Sequence, residues 1–313
     1  MTQIEITFLG TTAGVPTKFR NHAAIHLMYR SQEEYCCLLD CGEGTQRQIF
    51  SSGLNFMRLD DIFITHWHAD HFAGLLGLIE TMNLENRTAP LNIYGPEAEK
   101  FVDILLSLGY STKQFSVVGK NVEYNGSSIE TVMDRDEFYI ASIPVKHGIP
   151  AVAYAFMEKD RVKIDREKAN ALGLPSKGPI FKQIKDKGSA LYKDMKIKLE
   201  DVSFTEKGKK VVYSGDTMPC KNIVKLAESA DLLIHDSTHF EDSEEFKSRA
   251  KESKEYRHTT FEDVLKISEE ARAKQLIITH ISRRYQDIQD LKDKIAKYPN
   301  VKLAKDFMKI ELK

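Results

Sequence analysis

The sequence predicts an α/β fold in which several strand ends bring polar side chains to one rim. Three observations predict it. Short apolar, β-branched runs alternate with stretches of helical periodicity along the 313 residues. Residues 61–82 pass from one such run (Ile62, Phe63, Ile64) through four metal-ligand types in six residues, His66, His68, Asp70 and His71, into apolar residues at helical spacing: Phe72, Leu75, Leu76, Ile79 and Met82. Further on, His147, Asp216, His235 and His280 each close a separate apolar run. The ends of strands are where sheets commonly bring distant residues together.

Composition narrows the function classes. An apolar fraction of 42% supports a core and excludes a wholly disordered chain. A net charge of −1 excludes a generic polyanion binder, so any nucleic-acid surface must be local. No run of about 18 apolar residues is present, so no membrane span is expected. The first ten residues read as a strand with an acid in it, not as a basic-then-apolar leader, so a cytoplasmic location is expected. Cys36, Cys37, Cys41 and Cys220 lack paired Cys-x-x-Cys spacing and read as reduced thiols, not as a zinc ribbon.

In chain order, residues 4–9 alternate as a strand and run into the turn-rich loop 10–16. Lys18 and Arg20 in the loop Pro16-Thr17-Lys18-Phe19-Arg20-Asn21 are either phosphate contacts or ordinary solvated cations. Residues 23–29 and 35–39 form a strand pair that ends at Asp40. Asp40 is placed to hold a ligating histidine in one tautomer, or else is a turn aspartate. A helix begins at about residue 46. After the 61–82 stretch come a strand at 91–94, a helix from Gly95-Pro96 to about 108, and short strands at 115–118, 128–132 and 138–145. Strands at 210–214, 232–234, 275–279 and 308–312, and helices at 240–256, 261–273 and 287–297, complete the single domain 1–313. Thr259 or Thr260 is placed to cap the helix that starts at Phe261.

Residues 158–198 differ from their surroundings. They carry ten Lys and two Arg against six acids, a net +6 in a chain of −1. This Gly/Pro-punctuated excursion is either a solvated insertion or an arm presenting cations to phosphates. The remaining polar residues give the sharpest inference. His66, His68, Asp70, His71, His147, Asp216 and His280 make seven ligands of types that suit zinc, a number that fits two metals with one bridging carboxylate.

Thr-His-Trp-His-Ala-Asp-His at 65–71, His147, Ser-Gly-Asp-Thr at 214–217 and Thr-His-Ile-Ser at 279–282 resemble the metallo-β-lactamase superfamily. Phe-Leu-Gly-Thr at 8–11, the 16–21 loop, Asp-Cys-Gly-Glu-Gly-Thr-Gln at 40–46, the basic arm, His-Thr-Thr at 258–260 and His-Ile-Ser-Arg-Arg-Tyr at 280–285 are similar, more narrowly, to the ribonuclease Z family of tRNA 3′-processing endonucleases. The resemblance covers essentially the whole chain. It implies an αββα sandwich of two mixed sheets, two Zn2+ per subunit, a homodimer, and precursor tRNA as substrate. It implies that His66, His68 and His147 hold one zinc, that Asp70, His71 and His280 hold the other, and that Asp216 bridges. It further implies Asp70 as general base, His258 as proton donor to the leaving oxygen, and Asp236 as the support of His258. The arm lysines, among them Lys177, Lys182 and Lys185, would hold the body of the tRNA. The chain departs from the family's His-Glu-Ala-Thr pattern, having His235-Asp236-Ser237-Thr238, with an acid one methylene shorter. Two other readings compete: a hydrolase of small esters or thioesters on the same fold, and a non-catalytic RNA-binding protein that keeps its metal site.

Overall fold

The computed structural model describes residues 2–32, 34–109, 113–240, 258–285 and 289–313. They fall into two compact units, Met1–Phe156 with Lys210–Lys313, and Met157–Lys209.

The larger unit holds two seven-stranded mixed sheets. The first runs in the order Lys309–Leu312, Gln3–Gly10, Ala24–Arg30, Glu34–Leu39, Asp61–Phe63, Leu91–Gly95 and Val117–Asn121. Its first four strands are antiparallel neighbours, and from Glu34–Leu39 onward the pairing is parallel. The second runs Val301–Leu303, Leu276–Thr279, Leu232–Asp236, Lys210–Tyr213, Val152–Glu158, Phe138–Pro144 and Glu130–Asp134. Its first four strands are parallel neighbours.

Strand parity explains the layers. In Gln3–Gly10, the residues Ile4, Ile6 and Phe8 enter one core with Ile25, Leu27 and Tyr29 from the next strand and Tyr154, Val211 and Ile234 from the second sheet. In Glu34–Leu39 both faces are buried. Tyr35, Cys37 and Leu39 face the second sheet, while Cys36 and Leu38 face the helices. That is why 35–39 reads as an unbroken apolar run. Helices Thr45–Ser52, Leu75–Leu84 and Ala98–Leu106 cover the outer face with Ile49, Leu78, Ile79, Met82, Val102 and Leu105. On the other sheet, Lys221–Ala227 and Phe261–Glu270 bury Ile223, Leu226, Phe261 and Val264. Thr260 caps the latter helix, its hydroxyl accepting from the Asp263 amide.

Several elements depart from the sequence expectation. The helix expected from Phe72 is broken into Ala69–Phe72 and Leu75–Leu84. At the break the Gly74 amide donates to the Cys41 carbonyl at 2.9 Å. Strands Val152–Glu158 and Val301–Leu303 and helix Lys221–Ala227 were not expected. The charged helix expected at 240–256 lies, beyond Phe240, outside the described residues.

The smaller unit is a folded body with its own apolar centre of Ala169, Leu174, Ile180, Ile184, Ile197 and Val202. It extends past the expected limit of 198 because strand Arg161–Ile164 pairs with Ser203–Glu206. The Gly/Pro punctuation marks element ends. Pro179 opens helix Pro179–Lys187 after Gly178, and Gly188, in the left-handed region, closes it.

Candidate metal centre

The C-terminal ends of five strands supply the polar rim. Thr65–His68 follows Asp61–Phe63, His147 follows Phe138–Pro144, Asp216 follows Lys210–Tyr213, Asp236 ends Leu232–Asp236, and His280 follows Leu276–Thr279. Asp40 and His280 sit at φ of 60° and 56°, backbone that side chains other than glycine seldom adopt. Such strain costs about 1–3 kcal/mol per residue and concentrates where geometry is functional. Gly215, at φ 57°, leaves no choice of residue, since a Cβ there would lie 2.7 Å from the Thr65 side chain.

Two donor sets converge. His66, His68 and His147 form one, and Asp70, His71, Asp216 and His280 the other, with all ligand atoms of a set within 4.8 Å of each other. His68 Nδ1 lies 3.0 Å from both His66 Nε2 and His147 Nε2. His71 Nε2 lies 3.2 Å from His280 Nε2 and 3.3 Å from Asp216 Oδ2. Two donors on one tetrahedral zinc, each at 2.0–2.1 Å, stand about 3.3 Å apart, so both sets match such a cation. Asp216 Oδ2 also lies 3.8 Å from His66 Nε2 and 4.0 Å from His147 Nε2, facing both sets. Its Oδ1 is buried, makes no hydrogen bond among the described residues and lies 3.3 Å from His280 Nδ1, which suits a carboxylate oxygen at a cation site.

Neighbouring groups hold the imidazoles in one tautomer. Asp40 Oδ2 lies 2.7 Å from His71 Nδ1 and accepts from the Tyr213 hydroxyl at 2.8 Å. Asp40 Oδ1 accepts from the Thr65 amide at 2.8 Å. The Thr65 hydroxyl donates to Asp40 and stands 3.0 Å from His66 Nδ1. Thr238 Oγ1 stands 3.0 Å from His280 Nδ1. In each case Nδ1–H is engaged and Nε2 is left for the metal. One buried carboxylate thus orients a ligand of each set, His71 directly and His66 through Thr65.

The charge state is that of a cation site. Burial opposes ionisation of Asp216, yet His280 and His71 hold it well below the usual carboxylate range. Burial likewise opposes the charge on His71, but Asp216 and Asp40 raise its pKa. A dication arriving there displaces a proton. His66 is pushed down, by burial first and then by His71. Beside the two sets, His258 Nδ1 lies 3.5 Å from Asp236 Oδ2 and 3.7 Å from Asp216 Oδ2. Burial pulls its pKa down, but the two carboxylates outweigh that and hold it up at about 9.

The sequence brings these ligand types together and points to Asp40 as a support, which the contact with His71 Nδ1 matches, but it gives little sign of the hydroxyl supports. Thr65, Tyr213 and Thr238 act through single hydroxyls. Only the position of Thr65 and Thr238 beside site residues could have signalled two of them. His235 joins neither donor set; its ring turns back on its neighbour, with Nδ1 2.9 Å from the Asp236 carbonyl and 3.1 Å from Asp236 Oδ1. Arg20 requires a correction as a phosphate contact. It is 8% exposed, and its guanidinium donates inward to Thr11 Oγ1 at 2.9 Å and the Ala304 carbonyl at 3.1 Å. Lys18 and the arm residues Lys177, Lys182 and Lys185 are exposed. The three arm lysines line a cavity of about 660 Å³ with Phe181, Lys163 and Arg166.

Comparison with known proteins agrees with this geometry. Residues 197–281 match the family described as Beta-lactamase superfamily domain, and residues 4–142 match that described as Anti-Pycsar protein Apyc1. The chain is 40% identical over 314 residues to Ribonuclease Z of Methanothermobacter thermautotrophicus, covering 99% of this chain and 97% of that protein. It is 39% identical to Ribonuclease Z of Archaeoglobus fulgidus, covering 98% and 97%. The crystal structure of human tRNase Z, short form, superposes with a TM-score of 0.68 at 27% identity, covering 98% of each chain. Fold, rim and full-length likeness together show that the chain belongs to the ribonuclease Z family, on the metallo-β-lactamase fold.

Proposed function

We propose that the chain is a zinc-dependent endonuclease that removes the 3′ trailer of precursor tRNA, leaving a 3′-hydroxyl on the tRNA and a 5′-phosphate on the trailer. The observation that supports it best is the convergence of two donor sets on Asp216 with His258 and Asp236 beside them. His66, His68 and His147 would hold one Zn2+, and Asp70, His71 and His280 the other, with Asp216 shared. When bound, two such cations acidify a water and offset charge on the phosphoryl oxygens.

The side chains handle the protons. Asp70, held low by His280 and His71 against the effect of burial, is ionised at neutral pH and can accept the proton of the attacking water. Attack at phosphorus breaks the bond to the 3′ oxygen of the tRNA, which must gain a proton. His258 is the donor in this reading, kept protonated by Asp236 and Asp216. The exposed cations Lys18, Lys177, Lys182 and Lys185 would position the tRNA backbone without reading bases. A homodimer belongs to the same reading and rests on the family resemblance, and a cytoplasmic location is proposed with it. No helix among the described residues is long and apolar enough to cross a membrane.

Chelator-treated protein tested on a 3′-extended tRNA checks the reading. Cleavage should vanish, return with about two equivalents of zinc, and yield a trailer that a 5′-phosphate-dependent exonuclease degrades. Undiminished cleavage by protein shown by elemental analysis to be metal-free would overturn it.

A further inference from the structure

We infer that His22 is a positioning residue, which locks the loop whose backbone aims Asp70. The inference rests on the reading of Asp70 as a metal ligand. Asp70 lies in the four-residue helix Ala69–Phe72, only partly buried, beside the exposed His68. So short an element does little to set a side chain's direction. The direction comes from elsewhere. The Gly14 amide donates to Asp70 Oδ2 at 2.8 Å, a charge-assisted bond from a residue 56 positions away in sequence.

Gly14 needs holding. It sits at φ 61°, and none of the described residues lies within 4 Å of where its Cβ would be, so packing against them does not fix it. His22 Nε2 lies 3.2 Å from the Gly14 carbonyl. Since a carbonyl only accepts, Nε2–H is the donor. His22 is itself pinned. Its backbone bridges Thr12, and the residue is 9% exposed. A Cβ on Gly42 would lie 2.5 Å from His22 Cβ and 2.2 Å from the Asp70 carbonyl oxygen, so His22, Gly42 and Asp70 interlock. The same loop also reaches the other side of the site. Thr12–Ala13 pairs with Ile281–Ser282, the two residues that follow His280. His280 Nε2 is 3.3 Å from Asp70 Oδ2. One loop of 11 residues, from Thr12 to His22, therefore sets two ligands of the same donor set, and His22 is its latch.

The test uses metal affinity as well as turnover. His22→Phe keeps the ring volume and removes the donor. His22→Gln places an amide N–H where Nε2 was. His22→Asn stays polar but ends short of Gly14, and keeps the test decisive if the Phe protein does not fold. Apo-protein titrated with zinc against a chromophoric chelator should show one of the two equivalents weakened about tenfold in the Phe and Asn variants. The other equivalent should be unchanged. The kcat for bis(p-nitrophenyl) phosphate should fall by a similar factor at constant KM, and the Gln variant should recover both. Adding His22→Phe to Asp70→Asn should cost no further zinc affinity. Wild-type zinc binding by both the Phe and Asn variants, or losses that add in the double variant, would overturn the role of His22. Intact zinc binding by Asp70→Asn alone would instead remove Asp70 as a ligand, a separate failure.

Discussion

The rim of the larger unit and the 157–209 unit use polar residues in opposite ways. At the rim, seven side chains drawn from positions 66 to 280 aim ligand atoms at two points; five are buried, and His66, His71 and His280 are each oriented by a named partner. In the smaller unit, Lys177, Lys182 and Lys185 stand exposed around a cavity, with no ion pair among the described residues. A cation demands particular atoms at particular distances, and each donor lost leaves a gap that water fills poorly. A polyanion demands only charge of the right sign in the right place, and many arrangements serve. The comparison teaches that damage at the rim should be all-or-none and damage to the arm graded.

The rim half of that contrast is the easiest to break. His68→Ala or Asp70→Ala should lower cleavage of a 3′-extended tRNA by about 10²–10³-fold, the scale on which removing one main transition-state stabiliser acts. Gel-shift affinity for the same tRNA should stay within about threefold. A variant with near-normal turnover would put the ligand assignment in doubt.

The arm half gives a smaller effect with a different signature. The triple substitution Lys177→Ala, Lys182→Ala and Lys185→Ala should weaken tRNA binding about 10–100-fold at low salt. It should flatten the dependence of log K on log salt by up to about 2.7, since each of the three lost phosphate contacts removes about 0.7–0.9 from the slope. Hydrolysis of a small phosphodiester should not change. Equal loss on both substrates would show that the arm supports the catalytic centre instead of the RNA.

How much was legible in the sequence follows the same division. His66, His68, Asp70 and His71 were readable because four donors in six residues after an apolar strand have few other uses. Asp216 and His280 followed because each sits past a strand of the same kind. Tyr213 was not readable, since a tyrosine in an apolar strand looks like core, and its bond to Asp40 spans 173 positions. Arg20 misled because a loop cation gives no sign of which way it turns. It turned inward to the backbone of Ala304, 284 positions on. Strand Val152–Glu158 was missed because its apolar signal is diluted by Ala153 and Ala155, which are buried but carry little hydrophobic weight. Local chemistry shows in a sequence, whereas the partner of a single hydroxyl or guanidinium shows only once the chain has folded.

The smallest predicted effect sharpens the comparison inside the larger unit, between histidines that meet carboxylates and one that does not. His26, in strand Ala24–Arg30, is 3% exposed, and its Nδ1 has no hydrogen-bond partner among the described residues. Burial first, and Lys309 second, push its pKa down to about 4, while Glu34 opposes them. Its folded value is therefore below its unfolded value of about 6.5, so between those pH values the unfolded chain binds the extra proton. Stability is accordingly lost as pH falls from about 6.5 toward 4, by about 2 kcal/mol at pH 5. His26→Leu keeps the site apolar and removes the proton. In metal-free protein the drop in urea midpoint between pH 7.5 and pH 5 should be smaller for His26→Leu than for the wild type. His258 should behave the other way. Its raised pKa contributes stability that is present below about 6.5 and lost as pH rises through about 9. If wild type and His26→Leu lost stability equally on acidification, burial without a carboxylate partner would not set the acid limit of this sheet.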